Sequence, residues 1–269
     1  MLTLPHRFLF QGQPVAWGCM GEGEPLVLIH GTPFSSQVWR TLAPLLAKRW
    51  KVYYFDLLGY GLSIQPDQQD VSLRVQNALL ADLLTHWGLT TPEVLCHDFG
   101  GATALRAYYL NGVRYKRLTI IDAVALAPWG SPFVSHIRNH EPAFTGLPAY
   151  AHDALLKAYL QSAAHSQLSD EALRIYMQPW QGEVGQAAFY QQIAQMDQAF
   201  TDEIEPLYAP MEIEQGVQVL WGERDEWIPI QQGHKLARLI SHKPLIAVPN
   251  AGHLMQEDAP ESIIAAMLS

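Results

Sequence analysis

The sequence predicts an α/β fold: a mostly parallel central sheet flanked by helices, with one helical insertion. Two observations carry that expectation. Short apolar, β-branched runs alternate with helical patterns along residues 1–127 and again along 209–269. Those runs are almost continuously apolar, as strands of a parallel sheet covered on both faces must be. A third observation sets the insertion: residues 128–208 are helix-like, aromatic and loop-rich, with no convincing strand.

Taken in order, "PVAWGCMGEG" and "PLVLIHG" read as strands around a Gly-rich turn, and "WKVYYFDLLG" as the next strand. Between the last two, "SSQVWRTLAPLLAKR" places Val38, Leu42, Leu45 and Leu46 at helical spacing. "VSLRVQNALLADLLTHWG" is amphipathic and stops at Gly88, a residue that suits a helix C-terminus. The strand "EVLCHD", the helix "ATALRAYYLNG" and the strand "RLTIID" follow. After the insertion, "GVQVLWGERD" and "PLIAVPNAGH" restore the strands, with the helix "IQQGHKLARLIS" between them. The expected division is a core of residues 1–127 and 209–269, with 128–208 as a helical lid. Such a lid lies over the carboxyl ends of the strands, where open α/β sheets bind ligands.

A chain of 269 residues is long enough for one large α/β core, and 49% hydrophobic against 16% charged residues argues against disorder. A net charge of −9, with no run of five basic residues, excludes nucleic acid and anionic membrane as main partners. No apolar run reaches membrane-spanning length. The N-terminus lacks a basic segment leading into an apolar one, so no signal peptide is expected. Cys19 and Cys96 stand far apart beside strand-like segments and read as reduced, buried thiols, which suits a cytoplasmic protein. With no "HExxH" and no paired CxxC, neither a metal nor a cofactor is expected.

Four motifs fall at strand ends. "HGTP" (His30–Pro33) closes one strand, and Asp98 sits in "VLCHDFGG" with small residues two before and two after it. Asp225 lies in "LWGERDEWIP" and His253 in "PNAGHLMQEDAPE". Asp98 alone would also suit a helix N-cap. Together with His253, it suits nucleophilic chemistry. A carboxylate is a poor nucleophile toward carbonyls, because the anhydride it would form is too reactive to help. Toward a saturated carbon bearing a leaving group it is competent, and it gives a stable alkyl ester. That ester then needs a base to activate water, which His253 suits. It also needs an acid to hold the imidazole's tautomer, which Asp225 suits. His97 and His30 read as structural.

The order nucleophile, acid, histidine, each just after a strand, resembles the α/β-hydrolase superfamily, and the resemblance covers essentially the whole chain. "DLLGYGLS" (56–63) matches a further element of that family. The resemblance implies an oxyanion hole made by the backbone N–H groups of Thr32 and Phe99. An Asp in the nucleophile position points to the branch of epoxide hydrolases, haloalkane dehalogenases and fluoroacetate dehalogenases. The resemblance also implies an alternative to Asp225: Asp122, at the end of "RLTIID", stands at the strand end where some haloalkane dehalogenases place their acid. "HGTPFSSQVWR" looks like the second of these, but Phe99 stands where they carry a Trp whose N–H binds halide. Lid Trp129 and Trp180 read as packing rather than as substitutes. No Arg follows Asp98 to grip a carboxylate, as fluoroacetate dehalogenases require.

Epoxide hydrolases use lid tyrosines to protonate the opening ring. "AAFYQQIAQ" resembles the segment carrying one of them, which selects Tyr190, and Tyr150 is preferred over Tyr159 as the second. The expected function is an epoxide hydrolase acting on a small, apolar, uncharged substrate and water. A haloalkane dehalogenase is the alternative, followed by an esterase-like hydrolase or a non-catalytic small-molecule binding protein of the same fold.

Overall fold

The computed structural model describes residues 1–66 and 68–269. Eight strands make one sheet: β1 (His6–Phe10), β2 (Gln13–Met20), β3 (Glu24–Ile29), β4 (Trp50–Phe55), β5 (Glu93–His97), β6 (Arg117–Ile121), β7 (Val217–Gly222) and β8 (Ile246–Val248). Their spatial order is β1-β2-β4-β3-β5-β6-β7-β8. The β1–β2 and β2–β4 pairs are antiparallel and every other pair is parallel. All residues of β5 and β7 are buried, which is why their sequences are apolar without alternation.

The helices in chain order are α1 (Ala43–Leu46), α2 (Leu73–Trp87), α3 (Phe99–Leu110), α4 (Pro132–Thr145), α5 (Ala149–Gln161), α6 (Asp170–Met177), α7 (Gly182–Ala194), α8 (Ala199–Asp202), α9 (Ile230–Ile240), α10 (Met255–Asp258) and α11 (Pro260–Leu268). Helix α2 closes on Gly88 in the left-handed conformation (φ 69°), whose N–H bonds back to Leu84 and Thr85. Helices α4 to α8 all fall between β6 and β7.

Two elements depart from the sequence reading. Strand β1 was not expected; it pairs with β2 across Gln11-Gly12, both at positive φ (49° and 81°), a two-residue hairpin turn without the usual Asn-Gly or Asp-Gly signature. The helix expected over "SSQVWRTLAPLLAKR" is broken into a 3-10 turn, Ser36–Trp39, and the short α1, with Pro44 in the first turn of α1. Among the described residues, no helix is long and apolar enough to cross a membrane.

Three sets of contacts tie the helices between β6 and β7 to the helices and loops around the sheet. The buried Arg106 of α3 donates to Asn77 Oδ1 at 2.8 Å and also reaches Glu203 and the Phe200 carbonyl. Arg40 bonds both Tyr176 of α6 and Glu257 of α10. Asp258 accepts the backbone N–H groups of His165 and Ser166 at 2.8 Å and of Gly252 at 2.9 Å, strapping the α5–α6 connection to the loop before His253.

Candidate active site

The turn from β5 into α3 puts Asp98 at φ 53°, ψ −119°, a conformation that non-glycine residues adopt only under tertiary constraint. Small neighbours make the turn possible. A Cβ at Gly100 would lie 2.3 Å from the Ile29 carbonyl oxygen, and one at Gly31 would lie 2.3 Å from the Asp98 Cβ. The Gly100→Ala variant is therefore expected to lose roughly 2 kcal/mol or more of stability, read from the denaturant midpoint, because the obstructing atom is backbone and cannot step aside. Asp98 makes no capping bond to α3. Its carboxylate instead faces the loop after β3, where Oδ1 accepts the Thr32 N–H at 2.6 Å.

His253 is buried, with Nδ1 2.9 Å from Asp225 Oδ2 and Nε2 3.4 Å from Asp98 Oδ2. Asp225 Oδ1 already accepts the N–H groups of Trp227 and Ile228, each at 2.8 Å. Both oxygens can only accept, so Nδ1 carries the proton and Nε2 points at Asp98. Burial disfavours the charged imidazole, but the Asp225 and Asp98 carboxylates outweigh it and hold the His253 pKa well above the usual histidine range.

Asp122, the alternative acid, sits at φ 43° with Oδ1 accepting the Gly222 N–H at 2.8 Å, and it makes no bond to His253. Burial, reinforced by the Asp225 charge, raises its pKa well above the carboxylate range. His97 donates from Nε2 to the His253 carbonyl at 2.8 Å, and burial with His253 beside it pushes its pKa down to about 4. His30 donates to the Gly31 carbonyl and accepts the Leu57 N–H, both at 2.9 Å, and so braces the loop.

Asp98 opens into a cavity of about 40 Å³ with an apolar lining that includes Phe99, Val124, Trp129, Val134, Met196 and Ile228, and with no Lys or Arg. Tyr159, Thr32, Trp227, Gly130 and Ser131 complete its wall. Neither tyrosine chosen from the sequence is there. Tyr150 is 79% exposed, and Tyr190 is buried between helices, its phenol donating to His152 Nδ1 at 2.9 Å. Tyr159 lies nine residues after Tyr150 on α5; at about 100° per residue it points from the opposite side of the helix. Burial, with the Asp98 charge, raises its pKa. The "AAFYQQIAQ" segment does reach the site, but through other residues. Gln192 Oε1 accepts the Thr32 hydroxyl at 2.7 Å and the Tyr60 hydroxyl at 3.0 Å, and Met196 lines the cavity.

The indole N–H groups nearby are all engaged. Trp129 donates to Thr201 Oγ1 at 2.7 Å, Trp180 to the Pro33 carbonyl at 2.7 Å and Trp227 to Ser162 Oγ at 3.0 Å. Among the described residues, no group of three or more His, Cys, Asp or Glu could hold a metal. Trp227 and Gln192 were not anticipated. The only sequence signal for Trp227 was its place two residues after Asp225.

A strand-to-helix elbow, an imidazole and an acid, each at the carboxyl end of a parallel sheet, define an α/β-fold hydrolase. The sequence pattern of the alpha/beta hydrolase family matches residues 26–266, and the chain belongs to that family. An alpha/beta hydrolase fold protein from Burkholderia ambifaria, whose structure is solved, is 56% identical, with 100% of this chain and 98% of that one covered and a TM-score of 0.97. The soluble epoxide hydrolase of Corynebacterium sp. (strain C12) is 34% identical over 119 residues, 44% of this chain and 41% of that protein. The match thus spans less than half of that relative's length. The cis-3-alkyl-4-alkyloxetan-2-one decarboxylase of Xanthomonas campestris pv. campestris is 26% identical over 267 residues, 91% of this chain and 87% of that protein.

Proposed function

We propose that the protein hydrolyses small, uncharged, strained oxygen rings, epoxides first among them, through an ester on Asp98, with residues 128–208 as the lid. Asp98 Oδ2 attacks a ring carbon, the C–O bond breaks, and the leaving oxygen takes the Tyr159 proton. At rest the two carboxylates favour the protonated form of His253. Once Asp98 is an ester, only the Asp225 charge remains beside it. The imidazolium then gives up its Nε2 proton to the water entering the site, which passes one on to the Tyr159 phenolate, leaving a neutral base. His253 Nε2 next takes a proton from water, whose hydroxide adds to the ester carbonyl while the Thr32 and Phe99 N–H groups hold the oxyanion. Collapse releases the diol and returns the resting carboxylate and imidazolium.

The observation that carries this reading is Tyr159, a phenol in the same cavity as Asp98, where the neighbouring indole N–H groups are already donated elsewhere. An alkoxide leaving group needs an acid; a halide needs N–H donors, and an anionic substrate needs a cation. Two of the three named relatives support a strained oxygen ring: one is an epoxide hydrolase, and the oxetan-2-one of the decarboxylase is such a ring as well.

The test is the rate of adduct formation, by intact-protein mass spectrometry, in His253→Ala with and without Tyr159→Phe. Losing the phenol is expected to slow adduct formation from a terminal epoxide by roughly 10²-fold or more, and to leave formation from a 1-haloalkane within a few-fold. Equal slowing with both electrophiles would remove Tyr159 as the acid. Adduct from the haloalkane alone would make the protein a dehalogenase. The corresponding Tyr190→Phe and Tyr150→Phe variants are expected to leave the epoxide rate near that of the parent.

A further inference from the structure

The catalytic imidazole does not end at its acid. Its ring stacks on the indole of Trp227, with centroids 5.0 Å apart and planes 27° from parallel. The indole also stacks on Tyr159 at 4.6 Å and 13° and on Phe34 at 6.4 Å and 24°, and Tyr159 in turn packs on Phe133 of α4 at 4.6 Å. Trp227 is held along its edges as well. Its Nε1–H donates to Ser162 at the C-terminus of α5, and its backbone N–H donates to Asp225 Oδ1. Tyr159 and Ser162 are three residues apart, so successive positions on one side of α5 grip the indole by its face and by its edge.

We infer that Trp227 is a positioning residue for His253: its π-face supports the imidazolium, and through it helix α5 of the insertion sets the orientation and basicity of the base. The inference rests on His253 acting as the base in the reaction proposed above. The ring quadrupole of an indole attracts a cation lying over its face, most strongly where water is excluded, and His253 is 1% exposed. The acid already fixes Nδ1. The flat contact with Trp227 restricts rotation about the remaining bond and so keeps Nε2 directed at the ester carbonyl.

The other ionisable groups around the imidazole do not duplicate this role. Asp98 and Asp225 supply charge in the ring's own plane through its two nitrogens. Burial disfavours the charged form of Asp122, and His97, whose ring centroid is 4.8 Å away and whose bond is to the His253 backbone, has its pKa pushed down to about 4. Burial likewise favours the protonated phenol of Tyr159, which stacks on the indole. Trp227 is therefore the face-on support of the charged form.

The experiment is an NMR titration of the His253 ring in an Asp98→Asn background. That substitution removes one of the two carboxylate charges, as formation of the ester does. In this background, Trp227→Phe keeps a π-face and is expected to leave the His253 pKa within a few tenths. Trp227→Leu keeps bulk without the face and is expected to lower it by roughly 0.5–1.5 units, the range a desolvated cation–π contact corresponds to. Trp227→Met, closer in volume, replaces the Leu variant if that one does not fold. A side chain that merely filled space would move stability and leave the titration unchanged. Equal pKa values in the Phe and Leu (or Met) variants, or no fall in either, would overturn the inference. The titration uses no substrate, so its outcome is separate from the fate of the hydrolase reading, which the adduct experiments decide.

Discussion

Incubated with a terminal epoxide, the His253→Ala variant is expected to accumulate an adduct equal in mass to the whole epoxide, located on Asp98, while Asp98→Ala accumulates none. The two residues meet the substrate at different stages. Asp98 stands in the cavity with Oδ1 held by the Thr32 N–H, and its attack on carbon needs no base. His253 Nε2, 3.4 Å from Oδ2, is placed to deliver water to the ester formed there. Removing a general base typically costs roughly 10²–10⁴-fold, so the ester outlives its formation and becomes visible by intact mass.

The same geometry sets the sign of the pH dependence. Asp225 and Asp98 raise the His253 pKa in the resting enzyme, and alkylation of Asp98 removes one of those charges. Hydrolysis requires the neutral imidazole. In the wild type, decay of the adduct is therefore expected to slow as pH falls through the lowered pKa of the ester state. An adduct missing from both variants, or present in both, would end this division of labour.

The second large effect is expected from Asp225→Asn. The native carboxylate satisfies three donors with two oxygens: the Trp227 and Ile228 N–H groups on Oδ1 and the imidazole on Oδ2. An amide has one accepting oxygen. If that oxygen keeps the two backbone donors, its NH₂ group faces His253 Nδ1 and forces the proton onto Nε2, the atom that must accept from water. Turnover is expected to fall by roughly 10³–10⁴-fold, with adduct formation retained within about tenfold. Single-turnover mass measurements separate the two steps. Asp122→Asn is the contrasting variant. Asp122 serves the Gly222 N–H, which an amide oxygen also accepts, and burial already disfavours its charge, so turnover is expected to stay within about tenfold of wild type. A collapse in Asp122→Asn with Asp225→Asn spared would exchange the roles of the two acids.

What the sequence by itself determined is local. Asp98 between Cys96 and Gly100 specifies an elbow because small neighbours let the turn approach the β3 end, and a Cβ at position 100 would strike the backbone there. The order of Asp98, Asp225 and His253 at strand ends was likewise visible, since each lies within a few residues of an apolar run that must be a buried strand. The parallel core followed from the same runs.

Tertiary structure decided what depends on which side of a helix meets the sheet. Tyr150, Tyr159 and Tyr190 all lie on helices with apolar neighbours, and only the docking of α5 and α7 turns Tyr159 to the cavity, Tyr190 to His152 and Tyr150 to solvent. The hydrogen bond that sets Asp225 apart from Asp122 runs to a histidine 28 residues beyond Asp225. The engagement of the three indoles and the stack of His253, Trp227 and Tyr159 join segments far apart in the chain. Short-range sterics write the elbow into eight consecutive residues, whereas the face a helix presents is settled by long-range packing, which leaves no comparable mark in any one segment.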